Sequence, residues 1–196
     1  MIKMITRFAI MAICAAFISS AGCKEDKAWE DAGVDAGPAA TWYDSTSDLT
    51  WQNEPWDTMT KYQAACDYCN SLTLDGREDW KTPTITQLRT LIRSCPATET
   101  GGACAITVAQ SSFSDYWTDD CMGCDSMGGP SAEGWYWDPE LAPLAVDAAN
   151  TTFQRFWSTT QLSSIEAWTV HFGTGEVNYN NSIQHNLYTR CVALGQ

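Results

Sequence analysis

The chain has 196 residues, of which 24 are acidic and 11 are basic, and its formal net charge is −13. A surface of this sign repels phosphate groups, so the composition excludes nucleic acid as a partner. A hydrophobic fraction of 44% with ten tryptophans predicts a folded core. The length suits one domain preceded by a leader and a linker.

Residues 1–22 predict a signal peptide. Two cations, Lys3 and Arg7, precede an apolar run from Phe8 to Ala21, which is shorter than the roughly 20 residues that span a membrane. The small residues SAG before Cys23 resemble the lipobox of bacterial lipoproteins. We therefore expect lipidation of Cys23, a membrane contact through that lipid, and a place on the bacterial outer membrane or cell surface. An uncleaved membrane anchor and an ordinary secreted protein are the alternatives.

Residues 23–40 predict a flexible acidic tether. The segment is rich in alanine, glycine and acidic residues, it repeats the letters DAG, and Trp29 is its one large apolar side chain. Such a composition cannot bury a core and keeps a linker open. The predicted globular domain is therefore residues 41–196.

The first half of this domain predicts two strands followed by two helices. Alternating aromatic and polar residues predict strands at Thr41–Tyr43 and Leu49–Gln52. Apolar residues at helical spacing predict a helix over Met59–Ser71. The letters TITQ at 84–87 form a capping box, and the apolar stripe that follows it predicts a second helix.

The second half predicts a long loop and then a set of antiparallel strands. Residues 96–153 have no helical or strand periodicity, and a loop of that length is usually functional or cross-linked. The turn FGTG at 172–175 joins two of the later strands. The complete order predicts an α+β fold. The later strands are Arg155–Thr159, Ala167–Phe172, Glu176–Asn180 and Leu187–Val192.

Five segments carry a resemblance to a known family. They are DLTWQ (48–52), YCNSLTLDGREDWKTPTITQL (68–88), FWSTT (156–160), EAWTVHFGTGEVNYNN (166–181) and RCVAL (190–194). These segments resemble the Lcl C-terminal domain family, a domain of unknown function on bacterial surface and exported proteins. The resemblance implies a C-type lectin-like fold, in which the first and last strands are neighbours, two helices flank the sheet and a long loop projects. It also implies a disulfide between Cys69 and Cys191, because such domains join their first helix to their last strand.

The remaining cysteines lie in a chain that is expected to be exported, where disulfides are the default. We expect Cys95 to pair with Cys104 and Cys121 with Cys124, which leaves Cys66 free. Cys66 could instead replace Cys69 as the partner of Cys191. The alternative is a zinc site of four thiolates, drawn from the C-x-x-C pairs at 66–69 and 121–124.

Within the long loop, acidic and aromatic residues alternate. Carboxylates suit Ca²⁺, and exposed aromatic faces suit sugar rings. The alternative is that the aromatic side chains pack beneath the loop and the carboxylates only solubilise it. His171 is expected on the solvent face of its strand. The calcium candidates are Asp119, Asp120, Asp125 and Asp138, with Asp115 nearby, and the ligand-binding candidates are Trp117, Trp135, Tyr136 and Trp137.

The function expected from these features is a lipid-anchored, non-enzymatic recognition module of the cell envelope that binds a glycan or an envelope protein. No protease, hydrolase or phosphate-binding motif is present. One alternative is an enzyme of the formylglycine-generating type, which shares the broad fold and uses a pair of cysteines; the other is a structural envelope protein. A domain of this family type binds sulfated polysaccharides, but 24 acidic residues against 11 basic ones argue against that ligand here.

Overall fold

The computed structural model describes residues 39–109, 117–141 and 154–196. The expected signal peptide, Cys23 and nearly all of the expected tether lie outside the described residues. The described chain is a mixed α+β structure, mostly sheet with two short helices, and this fold class is confirmed. Within these ranges, no helix has the length and apolar character that crossing a membrane requires.

The smaller sheet joins the two ends of the domain. It contains β1 (Thr41–Asp44), β2 (Leu49–Gln52) and β8 (Val192–Leu194). Strand β2 lies in the centre and is antiparallel to both neighbours. The expected first two strands are confirmed, but it is the second strand, not the first, that pairs with the last.

The larger sheet has five strands in the order β3-β7-β4-β5-β6. All neighbouring pairs are antiparallel except β4 and β7, which are parallel. The sequence did not predict β3, and it predicted β7 and β8 as one continuous strand. The strands are β3 (Trp56–Thr60), β4 (Arg155–Ser163), β5 (Glu166–His171), β6 (Glu176–Ser182) and β7 (Leu187–Thr189).

Two helices lie in the chain between β3 and β4, both strands of the larger sheet. Helix α1 spans Tyr62–Ser71, so the expected start at Met59 is wrong, because that residue belongs to β3, which pairs with β7. Helix α2 spans Ile85–Arg89, and its capping box is confirmed: the Thr84 hydroxyl accepts a hydrogen bond from the Gln87 backbone N–H. The apolar stripe from Ile85 to Ile92 is buried in the main core.

Three disulfides tie the fold together. Cys69 is bonded to Cys191, as the family resemblance implied. The two other expected pairings are wrong, because Cys95 is bonded to Cys124 and Cys104 to Cys121. The second of these bonds is nested inside the first in sequence. Among the described cysteines Cys66 is the free thiol, in agreement with the preferred prediction.

One described part of the long loop, residues 117–141, lies along the β5–β6 turn. The backbone N–H of Cys124 donates to the Thr174 carbonyl at 2.6 Å, and that of Tyr136 donates to the Phe172 carbonyl at 2.7 Å. Gly123 makes the closest approach, since a Cβ atom there would lie 2.3 Å from the Thr174 carbonyl oxygen. The loop is therefore a packed layer over the sheet.

Candidate functional site

The aromatic residues predicted to present open faces to a ligand are part of the core. Trp135 and Tyr136 are each 3% exposed and Trp137 is fully buried, so the sequence-based expectation of accessible faces is wrong for these three. Trp117 is half-buried, its indole N–H donates to the Val177 carbonyl at 2.8 Å, and its ring meets Tyr179 edge-on. The alternative weighed above, aromatic packing beneath the loop, describes these residues.

Trp137 shows why these rings are unavailable to a sugar. Its ring packs against Phe156 and Phe172. The guanidinium carbon of Arg190 lies 4.8 Å from the centre of the Trp137 ring, within the range of a cation–π contact. Arg190 is buried, and burial lowers its pKa to about 9. The ring face is therefore occupied from inside the protein.

The four predicted calcium ligands do not form one group. Asp119 and Asp120 are exposed in a single 3-10 turn, and Asp125 is exposed farther along the loop. Asp138 instead faces Arg93, with its Oδ2 3.4 Å from the arginine Nε. Throughout the described ranges, no three His, Cys, Asp or Glu residues gather as a metal site would require. Asp115 lies outside the described residues.

The zinc alternative and the expected solvent-facing position of His171 are both wrong. The zinc alternative requires free thiolates from both C-x-x-C pairs, but Cys69, Cys121 and Cys124 are all in disulfides. His171 is 9% exposed rather than on the solvent face. It is buried because the loop covers this end of β5, and its Nδ1 lies 3.2 Å from the Thr174 hydroxyl.

A concave polar surface, here called the Arg93 groove, lies where three segments meet. These are the β1–β2 turn, the residues that follow α2, and the segment between Cys95 and Cys104. The groove has a volume of about 470 Å³, within the size range of small-ligand sites. Its lining includes Asp44, Thr46, Ser47, Arg93, Glu99 and Thr100.

The charge at the centre of the groove is compensated. The Arg93 side chain is 30% exposed and lies between two carboxylates, with Asp44 Oδ2 3.4 Å from its Nη2 and Asp138 Oδ2 3.4 Å from its Nε. Its third nitrogen, Nη1, donates to the carbonyls of Thr90 and Ile92. The guanidinium is thus held in a fixed position by two segments other than its own.

Backbone pairing places the residues of this groove. The Arg93 N–H donates to the Tyr136 carbonyl at 3.0 Å, and Ile92 forms an antiparallel bridge with Trp137. These contacts bring Asp138 beside Arg93. Asp44 is placed by the β1–β2 turn, because its two carboxylate oxygens accept hydrogen bonds from the Thr46 backbone N–H and the Ser47 hydroxyl.

Arg89 supports the opposite wall of the groove. This buried side chain donates to the carbonyls of Thr98 and Glu99 at 2.9 Å and 2.8 Å, and to the Ile106 carbonyl. Burial lowers the pKa of Arg89. The wall is held further by the Glu99 carboxylate, which accepts the Cys95 backbone N–H at 3.0 Å. Sequence reasoning overlooked this site, although two arginines four residues apart stand out in so acidic a chain.

A second concave surface, here called the Lys81 groove, lies between α2 and β8. Its volume is about 510 Å³. The side chains on its polar wall bond within the protein: the Thr159 hydroxyl donates to the Pro83 carbonyl at 3.3 Å, and the Lys81 ammonium donates to Asn70 at 2.9 Å. The opposite wall is apolar. The lining includes Asp79, Lys81, Thr84, Thr159, Val192 and Leu194.

The model of one protein family, the Lcl C-terminal domain, matches residues 40–193. The chain belongs to the Lcl C-terminal domain family. The match includes all three disulfides, the Arg93 groove and, except for Leu194, the Lys81 groove. Among curated proteins, none matches the sequence.

The Lys81 groove brings together two of the segments that carry the family resemblance, DWKTPT at 79–84 (DW-x-x-P-T) and WSTT at 157–160 (W-S-T-T). Within the DW-x-x-P-T stretch Trp80 is fully buried, and the Pro83 carbonyl accepts the Thr159 backbone N–H of the W-S-T-T stretch at 2.7 Å. The Thr160 hydroxyl accepts the Ile85 backbone N–H at 3.0 Å. These residues therefore join the start of α2 to β4, and their polar groups are used in the fold.

The free thiol of Cys66 lies beside this junction. It is half-buried, in hydrogen-bond contact with the side chains of Tyr62 and Thr82, and burial raises its pKa. Burial also raises the pKa of Tyr62 to about 12, and the Tyr62 hydroxyl donates to the Thr159 carbonyl at 3.1 Å. The thiol is therefore held in its neutral form at ordinary pH.

Proposed function

We propose that this Lcl C-terminal domain protein is a lipid-anchored, non-enzymatic recognition module of the bacterial cell envelope. Its domain, with the C-type lectin-like fold that the family resemblance implies, binds a glycan or an envelope protein. The outer membrane or cell surface is its proposed location, and Cys23 is its proposed lipidation site. No calcium or other cofactor is part of the proposal.

The observation that carries this proposal is the Arg93 groove itself. Three separate segments bring hydroxyl, carboxylate and guanidinium groups to one concave surface, and convergent polar groups of this kind orient the ligand in a small-ligand site. Thr46 and Thr100 are exposed on this surface. Hydroxyl groups that both donate and accept suit the hydroxyls of a sugar. The proposed site therefore replaces the loop tryptophans suggested by the sequence.

The disulfides support export. Three bonds in one domain are typical of oxidising compartments and rare in the cytosol. They also weaken the enzyme alternative, since a formylglycine-generating type of chemistry uses a pair of cysteines. In the part of the chain that the structure describes, Cys66 is a single free thiol with a raised pKa. A raised pKa disfavours the nucleophilic thiolate.

A glycan array with the full chain tests the binding function. Thr100→Trp places a large ring at an exposed position in the groove, and we expect it to reduce glycan binding at least about tenfold by occupying the site. Thr73→Trp is the matched control, because Thr73 is also exposed and lines neither groove. Equal binding by wild type and Thr100→Trp contradicts the groove assignment. No binding by wild type contradicts the glycan function and favours a protein partner or the structural alternative.

Cell fractionation tests the anchor. We expect Cys23→Ser to move the protein from the membrane to the soluble fraction, since no lipid can then be attached. Cys66→Ser is the control for loss of a thiol, because Cys66 is free in the fold. Membrane retention of the Cys23→Ser protein contradicts the anchor.

A further inference from the structure

We propose that the Arg93 groove takes an uncharged, hydroxyl-rich ligand and rejects anions, and that Asp138 determines this selectivity. The proposal rests on the proposed function, because it names the ligand class of the same groove. It assigns Asp138 a role as a positioning residue, which acts on the ligand through Arg93.

The Arg93 guanidinium already spends most of its N–H groups on partners within the protein. An arginine that recognises sulfate or carboxylate needs open N–H groups, usually two in parallel. In this groove Asp138 meets Nε, Asp44 meets Nη2, and Nη1 is bonded to the backbone. Four of its five N–H groups therefore face a protein partner, and no parallel pair is left open for an anion.

The charge around the groove also disfavours an anion. Two carboxylates face one guanidinium, and the lining contains a third carboxylate, that of Glu99. An anion entering the groove would meet this excess negative charge at close range, where like charges disfavour binding. The remaining polar side chains of the lining carry hydroxyl groups, which can either donate a hydrogen bond to a neutral ligand or accept one from it.

Asp138, rather than Asp44, is the residue that can set this selectivity alone. Asp44 also holds the β1–β2 turn through Thr46 and Ser47, so its removal disturbs the groove wall. Asp138 is not one of the residues that line the groove, and its Oδ1 accepts the Glu140 backbone N–H at 3.0 Å. Asparagine at 138 keeps that Oδ1 acceptor and removes the charge next to Arg93.

The test uses the full chain with Asp138→Asn and two probes, inorganic sulfate and a panel of sulfated and neutral oligosaccharides. We expect sulfate and the sulfated oligosaccharides to bind about three- to fivefold more tightly to the variant than to wild type, the size of a partly screened ion pair. The gain should fall with added salt. Neutral oligosaccharides should bind with less than about a twofold change.

Asp125→Asn is the matched control, because it removes the same charge from the same loop at an exposed residue outside the groove. An equal gain with Asp125→Asn, or no gain with Asp138→Asn, overturns the proposal. Adding Arg93→Gln to Asp138→Asn should abolish the gain, and persistence of the gain also overturns it. If Asp138→Asn does not fold, Asp138→Ser provides the same charge change.

The sulfate titration separates this inference from the proposed function. If wild type binds no glycan but Asp138→Asn gains sulfate binding that depends on Arg93, the proposed function fails and the charge selectivity stands. If wild type binds neutral glycans through the groove and Asp138→Asn gains nothing, the function stands and the role of Asp138 fails.

Discussion

The Arg93 groove and the Lys81 groove have similar volumes but use their polar residues differently. At the Lys81 groove the hydroxyl of Thr159 is bonded within the protein, and that of Thr84 forms the cap of α2. At the Arg93 groove Thr46 and Thr100 face solvent beside a compensated ion pair. Residues that make a family recognisable in sequence can therefore be those that build the fold, while the surface open to a ligand lies elsewhere.

The largest expected effect tests whether the aromatic residues behind the Arg93 groove are core. Trp137→Ala should lower the free energy of unfolding by about 3–5 kcal/mol, because a fully buried ring is replaced by a cavity. Urea denaturation followed by circular dichroism, with the disulfides intact, measures this change. Leu194→Ala in the Lys81 groove is the control, since Leu194 is 71% exposed. It should change stability by less than about 0.5 kcal/mol, and a similar small change in Trp137→Ala would contradict the buried placement.

A substitution of intermediate expected effect tests whether the polar residues of the Lys81 groove stabilise the fold and do not bind a ligand. Thr84→Ala should reduce the free energy of unfolding by about 1 kcal/mol, because the Gln87 N–H loses its cap. Glycan binding should stay unchanged. Thr73→Ala, at an exposed threonine with no role in a cap, should leave both properties unchanged. A large loss of glycan binding in Thr84→Ala, with normal stability, would instead make the Lys81 groove the binding site.

The smallest effect concerns Cys66, whose side chain contacts Thr82 of the Lys81 groove. Burial raises the pKa of the thiol above its ordinary value of 9.0, so alkylation by iodoacetamide should be slow at pH 8 and have a midpoint above pH 9.0. A thiol whose pKa is higher in the folded state than in the unfolded state makes its full contribution to stability at pH values below the unfolded pKa. That contribution is lost as the pH rises through the folded pKa. Wild type should therefore lose stability relative to Cys66→Ser only above about pH 9. A labelling midpoint at or below pH 9.0 would show an open thiol.

Local patterns predicted the local parts of the fold. The capping box at Thr84 and the strands of the first hairpin depend on neighbouring residues, and both are present. Strand β3 depends on pairing with β7, more than 100 residues away, so no local pattern revealed it. The Cys69–Cys191 bond came from the family resemblance, whereas Cys95–Cys124 depends on how the loop folds back over the turn after β5.

The candidate site was harder to predict because composition does not give side-chain direction. The letters WYW at 135–137 are consistent with either an exposed aromatic surface or a core segment. In the folded chain Trp137 packs against Phe156 and Phe172, which places it in the core. Asp138 is acidic like many residues of this chain. Its pairing with Arg93 follows from a backbone bridge between Ile92 and Trp137, a contact that only the folded chain contains.

The small sheet also determines how the domain carries mechanical load. Thr41, at the start of β1, lies opposite Gln52 at one end of β2, and Leu194, at the end of β8, lies opposite Leu49 at the other end. Tension applied between these two points acts along the strands, so the hydrogen bonds on both sides of β2 are sheared together and do not separate one at a time. The Cys69–Cys191 bond then spares the 122-residue span between its ends from extension. Arg89 and Arg93 lie within the span that this bond protects from tension on the two ends.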